Sequence, residues 1–424
     1  MLNLTHKAAV VTAGLIFLQQ TFAFAAPIEL SLQDSIDFAL KHNPSIQIAD
    51  EDKKASEFRV GENKAGRLPT VTLGSGYSYS GNFKDSSHST SKSNSLGMSW
   101  SLYNGGRTEA QIDQAELGVK TADLNVEKSK QQLVLTATTD YYSVLEARNM
   151  RAVNEETVNN LKAHLDIVQA KYQEGVSAKA EVLRAEVEVA NADQNLIKAQ
   201  NQYELAVSNL LTTMNMDAST EIQLKGELAY LADTRTIADA IATAKKNRPE
   251  AIQAQIAIDS AQKGIDIAAS AKKPTVTLSA STDGRDLLPT DDNGWGVSAK
   301  ASWNVFDGGV AKSKVNQAET TAAKAKLQAE QTMDTIEQEV RQSYLNMKEA
   351  EKRLSTTEVT VNKAQEDLYI ARETYKAGVS TNLDVFDAQL AFTQAKTNHV
   401  QALYDYNVNK ANLDKAMGIK AAGL

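Results

Sequence analysis

YQEGVSAKAEVLRAEVEVANADQNLIKAQNQYELAVSNLLTTM, residues 172–214, returns 203 residues later as YKAGVSTNLDVFDAQLAFTQAKTNHVQALYDYNVNKANLDKAM, residues 375–417. The alignment needs no gap and pairs Gly175 with Gly378, Ala185 with Ala388, Tyr203 with Tyr406 and Leu210 with Leu413. Upstream, PTVTL occurs at residues 69–73 and again at 274–278, and Asn104-Gly105-Gly106 matches Asp307-Gly308-Gly309. Two copies of one unit therefore make the chain, an internal twofold repeat. The spacing is 205 residues at the prolines and 203 at the glycine pairs, so a polar loop between them absorbs two residues.

The 424 residues have room for two or three ordinary domains, yet 42% apolar content with only 6% aromatic is thin for large globular cores. Lys7, an apolar run at residues 8–18 and the small-x-small triplet Ala23-Phe24-Ala25 read as a signal peptide over residues 1–25. That run is too short to span a bilayer, and no later segment approaches the roughly 20 apolar residues a membrane helix needs. A membrane crossing by this chain must use strands. With no cysteine there is neither a disulfide framework nor a lipidation site at the cleavage point. A net charge of −8 and no long basic run argue against nucleic acid as a partner.

All six prolines fall at positions 27, 44, 69, 249, 274 and 289, which leaves long proline-free tracts rich in Ala, Gln, Glu, Lys and Leu. These favour helix. The first repeat, residues 26–216, is expected to hold strands at 69–80 and 94–103 and helices at 107–174 and 177–215. The second, residues 236–418, is expected to hold strands at 274–282 and 295–306 and helices at 310–377 and 380–417. Residues 217–235 read as a linker and 419–424 as a tail. Gly175 and Gly378 close the incoming helices, and Ser177 and Ser380 are placed to cap the outgoing ones. At about 1.5 Å per residue the incoming helix is roughly 100 Å long and its return only about 58 Å, so the helices after Pro44 and Pro249 would stack end to end with the returns. Such long Ala-rich helices must lie side by side in a coiled-coil-like array.

The strands have a period of two. Val71, Leu73, Tyr77 and Tyr79 alternate with Thr70, Thr72, Gly74, Gly76 and Ser78, and Leu96, Met98, Trp100 and Leu102 alternate with serines and Gly97. Val276, Leu278 and Ala280, then Trp295, Val297, Ala299, Ala301, Trp303 and Val305, repeat the pattern. An apolar outside and a small polar inside suit a membrane β-barrel, with Trp100, Trp295 and Trp303 as its aromatic belt. Alternation alone favours a half-buried sheet in a soluble domain, the far commoner setting for strands; the signal peptide, the matched hairpins and the tryptophan placement reverse that preference toward the barrel. Four strands cannot close, and open edges are not tolerated in lipid, so the chain must oligomerise to 8, 12 or 16 strands.

On the duplicated YxxGVS reversal and the PTVTL strand openings, the mature chain resembles the TolC-like outer membrane factor family. The resemblance implies an α+β membrane protein of the cell outer membrane. Three protomers, each giving four strands, would form a trimeric 12-stranded β-barrel continued by a long α-helical periplasmic tunnel. It implies an exit duct for tripartite efflux or type I secretion, opened by a periplasmic adaptor and an inner membrane pump. It also implies adaptor contact at the tips Gly175, Val176, Ser177, Gly378, Val379 and Ser380. Asp384 and Asp387 lie three residues apart near the start of the outgoing helix, where acidic residues commonly complement the helix dipole. By resemblance they line a periplasmic entrance constriction, with Glu181 adjoining it and Tyr375 helping to hold it shut. Where some relatives carry a gate-locking arginine, this chain has Ser380.

No enzyme signature accompanies this. His6, His42, His88, His164 and His399 are scattered, and no HExxH, cysteine ligand set or glycine-rich phosphate loop occurs. No catalytic residue, cofactor or metal is expected, and His164 reads as a surface or packing residue. The alternative reading is a periplasmic coiled-coil adaptor or scaffold without a pore, although nothing in the chain resembles the lipoyl half that adaptors carry.

Overall fold

The computed structural model describes residues 28–81, 88–284 and 294–419. The expected signal peptide, most of the two expected polar loops and residues 420–424 lie outside them.

Strand β1 (Ile28–Leu30) leads into helices α1 (Leu32–His42) and α2 (Pro44–Ala65), hairpin β2 (Thr70–Gly81) and β3 (His88–Tyr103), and helices α3 (Arg107–Gln173) and α4 (Lys179–Thr213). Strand β4 (Ile222–Leu224) precedes the same order again: α5 (Ile237–Asn247), α6 (Pro249–Ala269), β5 (Thr275–Gly284), β6 (Gly294–Ser302), α7 (Val310–Lys376) and α8 (Asn382–Ala416). Helices α3 and α7 each run 67 residues, about 100 Å. Each starts where a Gly-Gly pair turns the chain out of the sheet, with Gly105 at φ 74° and Gly308 at φ 65°. Gly105 is also required by space, since a Cβ there would meet the Ser270 carbonyl oxygen at 2.6 Å.

Two levels of helix flank α3 and α7. Near the sheet the lateral order is α2, α3, α6, α7, and at the far end it is α4, α3, α8, α7. The short helices join end to end. Asn43 caps α2 through its Oδ1, accepting from the Ser45 amide at 2.9 Å, while its Nδ2 donates to the Thr213 carbonyl at the end of α4 at 2.8 Å. In the second half, the end of α8 abuts the start of α6 so closely that a Cβ on Gly418 would lie 2.9 Å from the Arg248 backbone nitrogen.

Residues 217–235, expected as a linker, instead form a belt across this level. β4 pairs in parallel with β1, Tyr141 donates to the Lys225 carbonyl, Tyr406 to Leu231 at 2.6 Å and Asn407 to Ala229 at 3.2 Å. The largest apolar clusters lie here, one around Tyr141, Leu145, Leu210 and Leu211 and the other around Ile336, Val340, Met347 and Tyr406.

The antiparallel sheet has the order β2-β3-β5-β6. Its register places Val71, Met98, Ala280 and Val297 in one row and Leu73, Leu96, Thr282 and Trp295 in another, on the same face. Thr72, Gly97, Ser281 and Gly296 share the opposite face. Beyond end shifts of one or two residues, three details differ from the sequence reading. β3 starts at His88, six residues before the expected 94. A bulge between Ser101 and Tyr103 puts Tyr103, not Leu102, opposite Val276. β6 stops at Ser302 rather than 306, leaving Trp303 and Val305 beyond its end, because the position next to Thr275 on the partner strand is Pro274, which has no N–H to pair.

Candidate functional site

The end of the molecule farthest from the sheet carries both helical reversals. Each closes by the same backbone bonds, because a left-handed glycine lets the chain turn back over the last carbonyls. Gly175 (φ 77°) donates to the Tyr172 carbonyl at 3.0 Å and Val176 to Lys171 at 3.0 Å. Gly378 (φ 79°) donates to Tyr375 at 3.1 Å and Val379 to Thr374 at 2.9 Å. Val176 and Val379 are left pointing outward, 71% and 81% exposed.

The serines do not cap the outgoing helices as expected. The N-caps are Ala178 and Thr381, one residue later. Ser177 Oγ donates to Glu181 Oε2 at 2.7 Å, and Ser380 turns back to Thr374 Oγ1 at 3.0 Å, onto the incoming helix. Thr381 forms a capping box with Asp384, whose Oδ2 accepts from the Thr381 amide and hydroxyl at 2.7 Å each. Those bonds hold the Asp384 carboxyl below its usual pKa, so it is charged. Asp384 and Asp387 are both exposed, and among the described residues no cation pairs with either.

Tyr375 and Glu181, by contrast, come together. Tyr375 is 4% exposed and its hydroxyl lies 3.4 Å from Glu181 Oε2; burial, then the Glu181 charge, pushes the phenol above its usual pKa. Lys171 lies over the Tyr375 ring at 4.3 Å and donates to its carbonyl. Beneath them His164, 3% exposed, bonds through Nε2 to Asn382 Oδ1 at 2.5 Å and packs its ring against Tyr375 and Phe386. Burial holds the imidazole below its usual pKa, so it is neutral at pH 7. Hairpin α3–α4 is thereby fastened to hairpin α7–α8 by His164–Asn382 and Glu181–Tyr375.

The sequence reading took His164 as a surface or packing residue, which its burial fits, but did not foresee its bond to Asn382. The repeat carried no signal for them, since the aligned positions are Asp367 and Lys179. Each is unremarkable by local pattern, and only the fold brings them together across 218 residues.

At the opposite end, the sheet has one face of Val, Leu, Ala, Tyr and Trp and one of Ser, Thr and Gly. Among the described residues no helix is long and apolar enough to cross a membrane. The two-faced sheet thus sits at one end of a helical bundle about 100 Å long.

The family model for outer membrane efflux proteins matches residues 35–215 and 240–419. The chain belongs to the outer membrane efflux protein family. This efflux protein is 25% identical over 394 residues to outer membrane protein TolC of Escherichia coli, covering 89% of this chain and 80% of that one. It is 22% identical to outer membrane efflux protein BepC of Brucella suis, covering 97% and 89%. Its fold matches the open-state Neisseria gonorrhoeae MtrE channel at TM-score 0.77 and 20% identity, over 91% of this chain and 88% of that one. It also matches the Vibrio cholerae protein VceC at TM-score 0.76 and 18% identity, over 91% and 96%. The efflux protein is thus an outer membrane channel of the kind that serves efflux or secretion.

Proposed function

We propose that this outer membrane channel is a passive trimeric exit duct, with four strands from each of three chains closing a 12-stranded barrel above a 12-helix tunnel. One observation carries the reading: every level of the protomer ends at the same two open sides. β2, α2 and α4 form one margin, and β6 with α7 forms the other. An unpaired strand edge cannot stay open in lipid, so β2 of one copy must pair with β6 of the next. The tunnel helices then meet along the same seam. Repetition by head-to-tail contact around one axis is cyclic symmetry.

On this reading the chain performs no chemistry, and domain boundaries follow the repeat: 26–216, then the belt at 217–235, then 236–418. Trp100, Trp295 and Trp303 mark the membrane boundaries. Trp295 lies near one end of β6 and Trp303 one residue past the other. About 27 Å of extended chain, tilted by about 40°, therefore rises about 20 Å between them, comparable with an apolar band about 25 Å tall. The outward valines Val176 and Val379, with Gly175, Ser177, Gly378 and Ser380, form the docking tips for a periplasmic adaptor coupled to an inner membrane pump. Asp384 and Asp387 from three chains form an acidic ring at the entrance, and the Glu181–Tyr375 contact helps hold it shut.

The test is planar-bilayer conductance of the detergent-extracted oligomer with its mass measured alongside. A trimer with ion conductance is the expected result; a non-conducting, water-soluble monomer refutes the duct. Asp384→Ala with Asp387→Ala should relieve block by multivalent cations added from the periplasmic side, and unchanged block dismisses the ring.

A further inference from the structure

We infer that the root of the sheet, where strands meet helices, binds the head groups of anionic phospholipids from the adjoining leaflet. The inference rests on the lipid-facing reading of the apolar face. Both hairpins share one device there. The Trp100 indole N–H donates to the Arg67 carbonyl at 2.8 Å and the Trp303 indole N–H to the Lys272 carbonyl at 3.0 Å, in each case two residues before the proline that opens the neighbouring strand. Each ring is thus pinned to the backbone of a basic residue, and the bulge at Tyr103 adds a third aromatic to the same face.

The cations at this root are Arg67, Arg107, Lys272 and Lys273. The nearby carboxylates are already committed: Glu109 faces Arg67 at 3.7 Å, and Asp307 accepts from the Gly309 and Ala311 amides at 2.9 and 2.7 Å to cap α7. Arg107 donates from Nε to Ser270 Oγ at 3.3 Å, and the Lys273 ammonium lies 4.0 Å from where a Gly106 Cβ would be, at the same turn. Among the described residues Arg107, Lys272 and Lys273 have no carboxylate in an ion pair. Unpaired cations at the turns where an aromatic, apolar face ends call for a ligand that is anionic at one end and hydrocarbon at the other. A phospholipid of net negative charge has that form.

The experiment uses the full chain in nanodiscs holding equal amounts of phosphatidylglycerol and phosphatidylcholine, with native mass spectrometry of the lipids retained on the released oligomer. The wild type should retain phosphatidylglycerol preferentially. K272Q with K273Q should lose about fivefold of that preference per lysine, and Trp303→Phe, which keeps a ring but lacks the N–H, should lose part of it. Equal retention of the two lipids by the wild type, or an unchanged preference in the lysine double variant, overturns the site. Displacement of the lipid by inorganic phosphate at matching concentration also overturns it, because the site would then hold a free anion. If the lipid-facing reading itself fails, the wild type does not enter the nanodisc, which is seen before any preference is measured.

Discussion

Gly378 and Gly418 share a left-handed backbone but not a neighbourhood. A Cβ on Gly378 would meet nothing within 4 Å, whereas on Gly418 it would strike the Arg248 backbone at 2.9 Å. Gly378→Ala should therefore cost only the strain of a left-handed non-glycine residue, about 1–2 kcal/mol. Gly418→Ala must also shift the α8–α6 joint and should cost about 3 kcal/mol or more. Denaturant unfolding of the two variants separates them, and equal losses would mean the joint is soft. His164 supplies a pH dependence at the same scale. Its folded pKa is depressed, so between that value and the unfolded value of about 6.5 the unfolded chain binds more protons. Its contribution is present above about pH 6.5 and lost as pH falls through that window. His164→Gln, which keeps a donor for Asn382 but cannot titrate, should flatten the decline in melting temperature between about pH 7.5 and 5. An identical decline in both proteins removes His164 as its source.

For the elements, capping and gating can be separated at the start of α8. Thr381→Val removes the hydroxyl of the capping box yet leaves the Asp384 carboxylate, so thermal stability should fall by about 1 kcal/mol while multivalent cation block persists. Loss of block in that variant would mean that the cap, not the charge, shapes the entrance. The sheet offers a matching pair. Ala280 lies on the apolar face and Ser279 on the polar one. Ala280→Arg should cost about 2–4 kcal/mol near the bilayer midplane and deplete the protein from outer membrane fractions, whereas Ser279→Arg should be recovered normally and shift ion selectivity toward anions. Reversed outcomes would invert the faces. Strand alternation was legible because a period of two is a local property of the chain. The bulge at Tyr103 and the end of β6 were not, since each depends on the partner strand: where Val276 sits, and that Pro274 has no donor. The caps at Ala178 and Thr381 escaped for a smaller reason, a one-residue shift in where each helix begins.

At the scale of the whole molecule, the sequence by itself determined a chain of long helices and two-faced strands, because periodicity, glycine position and proline spacing act over a few residues and need no distant partner. It also placed Val176 and Val379 at the two reversals and Asp384 and Asp387 on the outgoing side of the second. Only the tertiary structure decided that one strand edge and one helix margin run together down each side of the protomer. It alone turned residues 217–235 from a linker into a belt clamped by Tyr141, Tyr406 and Asn407. The fastening of the two hairpins through His164 and Asn382 was equally beyond reading, since a hydrogen bond between residues 218 apart leaves no periodic trace in either segment. Local pattern fixes what each element is, whereas contacts between elements follow from which faces the closed packing of all of them leaves together.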